Sequence, residues 1–493
     1  MDKDTIVVGR WAEFHKDHPQ VSRLKAQMTM KNPEYEKNER LGFPNVIVKY
    51  DKEGNVVGRE EVPKIIQLFH QVGDRVLFPR AVVHPLMGKQ GVHIVDRTTI
   101  GERVEFPSLI KLRPYQEPFV DKLEAALRSQ YGAVGQAEAG FGKTVCSLEL
   151  MSRLGLKTVI LVHKEFLMTQ WIHRMLGTKA AAHFLGVRPS ELSDKIEPPM
   201  LGIEPEDIGI VLQGRCEWED KKVVVAMVQS LTSGREYPKE FYESFGLVLV
   251  DEVHRFSAPV FRQSIVKFPA AKRLGVTATP ERNDGLESVF FAHIGQIAAV
   301  GKGDRAKPRV NRIQTPVRAT PAIHRKMKVR GRENLSRIIN FLVDYDARNR
   351  QIVRLLVKAA ENGRKILVLS HRVAHVEELR RQFIEACRTK GLPVSTAYYI
   401  GGMDLKERAN AEKMQVLFAT YQLAKEGLDI PALDTIFLTT PVGDVEQAVG
   451  RILRKHSEKM TPVVVDFVDT AFKMTTGLAN KRKRAYEAKG WLN

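Results

Sequence analysis

Apolar residues recur along most of this chain in short unbroken runs. Thr158-Val159-Ile160-Leu161-Val162, Val223 to Val228, Leu247 to Val250 and Leu274-Gly275-Val276 are four of them. Runs of this length without alternation suit strands buried on both faces of a parallel sheet. Helical spacing lies between most of them, as in residues 117–128, where Phe119, Leu123 and Leu127 share one face. The β-α alternation predicts a parallel sheet with helical crossovers. It then starts again: Lys365 to Ser370, a helix from Val373 to Cys387, and strands at 394–400, 415–420, 435–438 and 463–467. The fold class read from this pattern is α/β, with two tandem parallel-sheet domains over 109–300 and 301–475.

Residues 1–108 have another texture. Asn45 to Tyr50 and Val56 to Arg59 flank the polar turn Asp51-Lys52-Glu53-Gly54, the mark of a β-hairpin. Helical spacing is read over 62–72, and further strands over 75–83 and 92–99. The sum is a small α+β module with no catalytic constellation, suited to binding DNA, contacting a partner or bracing the next domain. Residues 178–207, with Pro189, Pro198, Pro199 and Pro205, read as an irregular insertion, and 301–332 as a broken basic connection. A basic tail is expected over 476–493, around Lys481-Arg482-Lys483-Arg484, as a helix end, a targeting-like patch or a DNA contact.

Composition narrows the function classes. The net charge of +19 points to a polyanionic partner, against the simpler reading of a basic soluble surface. Residues 1–110 hold 17 Lys and Arg against 15 Asp and Glu, so nearly all of the excess lies further on. Cys146, Cys216 and Cys387 are far apart, which argues against a zinc site or a disulfide framework. The N-terminus lacks the pattern of a signal peptide, and no apolar run approaches the roughly 20 residues that span a bilayer. A soluble, cytoplasmic protein without membrane contact is expected.

Two stretches carry chemistry. Ala137-Glu138-Ala139-Gly140-Phe141-Gly142-Lys143-Thr144 lies between a strand and a helix. Glycines let backbone N–H groups converge on phosphate oxygens, and the helix N-terminus adds positive potential. Lys143 can reach β- and γ-phosphates and Thr144 can ligate Mg²⁺. Leu247 to Val250 then deliver Asp251 and Glu252 to the C-terminal end of a strand, where open α/β sheets bind ligands. Asp251 is placed to hold Mg²⁺ and Glu252 to polarise an attacking water. A third stretch is basic: Gln447, Arg451 and Arg454 fall on one helical face, suited to phosphate contact or to a solvated surface.

In this order the motifs resemble those of a superfamily 2 DExH helicase over roughly 109–470. The likeness is nearest to the XPB-like and phage UvsW-like branch-migration group, on Arg113-Pro114-Tyr115-Gln116, Gln170-Trp171 and Val465-Asp466-Phe467-Val468-Asp469. The resemblance implies two RecA-like domains, ATP and Mg²⁺ as cofactors, and DNA, branched or forked, as partner. It gives Gln116 the adenine, Ala139 to Thr144 the phosphates, and Gly427 and Asp429 a further nucleotide contact. It makes Gln447, Arg451 and Arg454 catalytic, the two arginines as fingers. It also implies nucleic-acid contacts at His163, Lys164, Gln229, Ser230, His371, Arg372 and Thr420. Gln170-Trp171 belongs to the first of these strand-contacting motifs, and Thr277-Ala278-Thr279-Pro280 resembles the coupling motif. UvsW-like proteins carry a small N-terminal module of this size. An RNA helicase, or the motor subunit of a larger machine, stays open as an alternative.

Overall fold

A computed structural model describes residues 3–492 apart from 51–55, 139, 194–195, 258, 283, 304–306, 402, 404, 423–429, 431 and 454–458. The chain divides into two compact units, 1–177 with 199–302 and 178–198 with 303–493.

The first unit opens with strands β1 (Thr5–Val8), β2 (Ala12–His15), β3 (Thr29–Lys31), β4 (Val46–Tyr50), β5 (Val56–Glu61), β6 (Ile65–Gln67), β7 (His70–Val72), β8 (Arg75–Phe78) and β9 (His93–Asp96). Five form a sheet in the order β7-β8-β2-β1-β9, while β4 pairs only with β5 and β3 only with β6. The expected hairpin is therefore present. The helix expected over 62–72 is not. Its β-branched residues pair as strands, β6 on β3 and β7 on β8, and Gly73 (φ +58) turns β7 into β8.

The apolar runs further on build an eight-stranded sheet. Its members are β10 (Gly132–Ala137), β11 (Thr158–Val162), β12 (Ile208–Leu212), β13 (Arg215–Cys216), β14 (Val223–Met227), β15 (Leu247–Asp251), β16 (Lys272–Thr277) and β17 (Ile297–Gly301), in the order β13-β12-β14-β11-β15-β16-β10-β17. All neighbours are parallel except β12 and β13. Every residue of β11, β14 and β15 is buried, as unbroken apolar runs require. The helix Glu117–Ser129 buries Phe119, Val120, Leu123 and Leu127.

Two buried arginines tie the N-terminal sheet to this one. Arg80 donates to the carbonyls of Ala270 (2.6 Å), Tyr131 (3.1 Å) and Gly9 (3.3 Å). Arg273, in β16, donates to His293 (2.9 Å), Phe268 (3.1 Å) and, back across the junction, Arg10 (3.1 Å). No carboxylate takes part in these bonds. The carbonyl dipoles carry the two cations, and that works only while both layers stay together.

The second unit holds β18 (Arg309–Gln314), a hairpin of β19 (Lys328–Val329) and β20 (Arg332–Glu333), then β21 (Ile366–Ser370), β22 (Thr396–Tyr399), β23 (Val416–Thr420), β24 (Thr435–Leu438) and β25 (Val463–Val468). Its six-stranded sheet, β18-β25-β24-β21-β23-β22, is parallel throughout. A buried ion pair braces it: Arg348 meets Asp469 at 2.8 and 3.0 Å, and Thr315 donates to the same carboxylate at 2.8 Å.

The stretch read as an irregular insertion holds regular structure among its described residues. The helix Glu165–Leu185 runs into residues 178–207 through a kink at Gly177 (φ 74, ψ 173). Thr178 and Glu197 close the excursion at its base, with N–H to carbonyl 3.0 Å and N–H to hydroxyl 2.9 Å. The short helix Pro189–Leu192 packs on the helix Leu405–Glu412 within the second unit. Of the readings of the basic tail, the helix end is the one present: it lies in the helix Lys473–Ala488. Within it Arg482 is buried on Asp466 at 2.9 Å, so the basic run is in part core.

Candidate active site

β10 ends at Ala137 and the helix Lys143–Leu154 starts six residues on, so the glycine loop spans a tight reversal. Gly142 caps that helix at φ +99, a left-handed value that side chains resist. A Cβ there would also lie 2.4 Å from Gln116 Nε2. Gln116 is buried and its amide donates to the Phe141 carbonyl at 2.6 Å, while its carbonyl accepts from Arg113 N–H at 2.9 Å. Gln116 therefore ties the Arg113-Pro114-Tyr115 segment to the loop. Phe141 packs edge-on against Phe119 at 5.0 Å, which anchors the loop in the core.

Beside the loop, β15 delivers its two carboxylates. Asp251 is buried; its Oδ1 accepts from Glu252 N–H at 2.9 Å and its Oδ2 from the Trp171 indole at 3.0 Å. Burial, with the Glu252 charge next to it, pushes the Asp251 carboxyl up to about 6. Glu252 sits at φ +51, an unfavourable backbone conformation for a side-chain-bearing residue, at the point where the strand turns. The Lys143 ammonium lies 4.0 Å from Glu252 and 3.4 Å from the Ala137 carbonyl. His254 shares a hydrogen bond of 2.9 Å with Thr277, and burial lowers its pKa. The Thr277 hydroxyl also accepts from Thr279 N–H at 3.2 Å. One connected set thus runs from the loop through β15 to the end of β16.

The remaining candidates are placed as follows. Thr144 is half-buried in the first turn of the loop's helix. The His163 and Ser230 side chains are buried; Ser230 Oγ accepts from Gln213 N–H at 2.9 Å, and Gln229 donates to the His163 carbonyl at 3.1 Å. Lys164 is half-buried. In the second unit His371 lies tilted against Tyr421, ring centroids 4.6 Å apart, and meets the Thr440 hydroxyl at 2.9 Å. Arg372 donates to Asn340 at 2.8 Å and Ser336 at 2.7 Å, and Thr420 ends β23. Gln447 and Arg451 belong to the helix Glu446–Ile452. Ala139, Gly427, Asp429 and Arg454, with the side chains of Gln447 and Arg451, lie outside the described residues.

Trp171 has a place that the sequence did not show. The sequence sets it in a strand-contacting motif, yet it is 1% exposed and its N–H is committed to Asp251. Side chains lean toward a helix's N-terminus, and this helix starts just past the end of β11, which pairs with β15. The indole therefore meets the last residue of β15. The Gln-Trp pair was visible in the sequence, but nothing along the chain shows which carboxylate it faces.

Residues 109–282 match the family model described as type III restriction enzyme, res subunit, and residues 347–456 match the helicase conserved C-terminal domain. A protein of Acanthamoeba polyphaga mimivirus, named as an inferred ATP-dependent RNA helicase, is 27% identical over 443 residues, 89% of this chain and 74% of its own length. A fragment described as an HsdR subunit of a type I restriction enzyme from Vibrio vulnificus YJ016 overlaps 94% of this chain and 80% of its own at 17% identity and a TM-score of 0.50. The crystal structure of T4 UvsW covers 98% of this chain and 97% of its own at 17% identity and a TM-score of 0.37. Among the described residues no helix is long and apolar enough to cross a membrane. With the res-type motor domain followed in order by the helicase C-terminal domain, the chain belongs to helicase superfamily 2.

Proposed function

We propose that this ATP-dependent helicase is a DNA translocase that remodels branched DNA in recombination, repair or fork processing, with residues 1–108 directing it to the branch. The observation that carries the reading is the surface of those residues. They are near neutral in charge, and Phe43, Val46, Ile47, Val56, Ile65, Val72 and Val95 are exposed there. A neutral, apolar surface fixed to a strongly basic motor suits recognition of a junction by shape and base contact rather than by grip on phosphates.

The site residues fit ATP with Mg²⁺. Gly140 and Gly142 adopt positive φ, leaving the loop backbone clear of side chains where phosphate oxygens would approach. Lys143 would neutralise β- and γ-phosphate charge, and Thr144 and Asp251 would hold the metal. Held there, such a metal would supply positive charge against the charge that develops on the phosphates. Glu252 orients the attacking water, and the His254–Thr277 bond carries the state of this end of the sheet to the coupling motif. Gln447, Arg451 and Arg454 are read as catalytic, the two arginines as fingers that add positive charge in the transition state. Phosphate contacts through Lys164, Gln229, His371, Arg372 and Thr420 hold the strand without reading its sequence; His163 and Ser230, with buried side chains, contribute main-chain groups. Hydrolysis then drives stepping along the strand. The cytoplasm is the expected compartment.

The name of the mimivirus relative favours a second reading, an RNA helicase. ATPase rates with single-stranded DNA, linear duplex, a four-way junction and RNA, at one salt concentration, decide between them. The junction should stimulate most; greater stimulation by RNA overturns the DNA reading.

A further inference from the structure

The geometry points to Trp171 as a positioning residue for the metal-holding carboxylate: its indole N–H fixes the Asp251 side chain in the orientation that receives Mg²⁺. The inference rests on the reading of Asp251 as that carboxylate.

Both Asp251 oxygens have a donor, Glu252 N–H on Oδ1 at 2.9 Å and Trp171 Nε1 on Oδ2 at 3.0 Å. The first comes from the adjoining residue and moves with the strand end. The second comes from a separate element, so among the described residues it is the bond that ties the carboxylate to the scaffold. An indole suits this task better than other donors. It donates without accepting and carries no charge, so it orients a carboxylate while leaving the full negative charge for the cation. A lysine or arginine in its place would neutralise the ligand. The indole is also held rigidly. Trp171 is 1% exposed, and Leu167, Met168, Ile172 and Met175 of the same helix are buried with it. Groups that donate to metal ligands from outside the coordination sphere typically change metal affinity 10–100-fold when removed.

Trp171→Phe keeps an aromatic ring in the core and removes the N–H. ADP binding is measured by calorimetry without metal and then across a Mg²⁺ titration, in the parent, Trp171→Phe and Asp251→Asn. Metal-free ADP affinity in Trp171→Phe should stay within about twofold of the parent. The Mg²⁺ midpoint should rise about 10–100-fold. An unchanged midpoint in folded Trp171→Phe, with a raised one in Asp251→Asn, overturns this proposal alone. An unchanged midpoint in Asp251→Asn overturns the reading of Asp251 instead.

A second measurement needs no change at 171. The chain has four tryptophans, so the 5-fluorotryptophan-labelled protein gives four ¹⁹F resonances. One should shift when Mg²⁺ is added to the ADP complex, and that shift should be missing in Asp251→Asn. No Mg²⁺-dependent resonance in the parent overturns the proposal.

Discussion

At the scale of single residues the nucleotide site makes sharp demands. Lys143 is the cation of the glycine loop, 4.0 Å from Glu252. Lys143→Ala should abolish ATP turnover with the fold intact by circular dichroism; turnover within threefold of the parent would remove the loop from the mechanism. Glu252→Gln keeps the shape and leaves Asp251 in place. ATP binding should survive while hydrolysis falls by orders of magnitude, and a parallel loss of binding would give Glu252 another role. Arg454→Ala should lower kcat by roughly 10³–10⁵ and ATP affinity far less, the mark of charge supplied in the transition state. Equal losses in single-turnover rate and in affinity would instead mean ground-state binding. The loop and both carboxylates are legible in the sequence because each is a local string. The bonds from Gln116 to Phe141 and from Trp171 to Asp251 are not, since their partners lie 25 and 80 residues away.

At the scale of elements, buried polar groups set stability. Arg348 and Asp469 join the helix Asp346–Glu361 to the strand end after β25, both fully buried. Arg348→Met leaves a buried carboxylate without its cation and should cost about 3–5 kcal/mol in urea unfolding of the second unit. Buried histidines set an acid limit. Burial lowers His293, at the junction with the N-terminal sheet, and His375, which bonds Ser370 and Asn349, to about 3 each. The folded state thus binds these protons less readily than the unfolded chain, whose histidines titrate near 6.5. The stabilisation is complete above pH 6.5 and is lost as pH falls toward 3, by up to about 1.4 kcal/mol per pH unit for each group. Stability measured between pH 7 and 4 should fall with that slope, and His375→Gln should flatten it.

At the scale of the whole molecule, the N-terminal sheet shares a core with the motor. Deleting residues 1–108 would strip Arg80 from the carbonyls of Ala270 and Tyr131 and uncover Arg273, so truncation mixes stability with targeting. Surface substitutions separate the two. Phe43→Ser with Ile47→Ser changes exposed positions only. Duplex-stimulated ATPase should stay within about twofold, while most of the preference for a four-way junction over linear duplex is lost. Binding is compared at one fixed salt concentration, because phosphate-dominated affinity varies steeply with salt. An unchanged ratio would assign junction recognition to the motor units.

The sequence by itself determined the α/β class, the two parallel sheets and the string of motifs, because buried parallel strands and phosphate loops are specified by residues adjacent along the chain. Only the tertiary structure decided the rest. It made 62–72 strands, since pairing with β3 and β8 outweighs local helical spacing. It took Arg482 out of an apparent basic tail and buried it on Asp466. It also made Trp171 the partner of Asp251. For 62–72 the deciding factor is strand pairing, with β3 far along the chain and with the adjoining β8; for Arg482 and Trp171 it is burial, which makes an unmet hydrogen bond or an unpaired charge cost more than local propensity can supply.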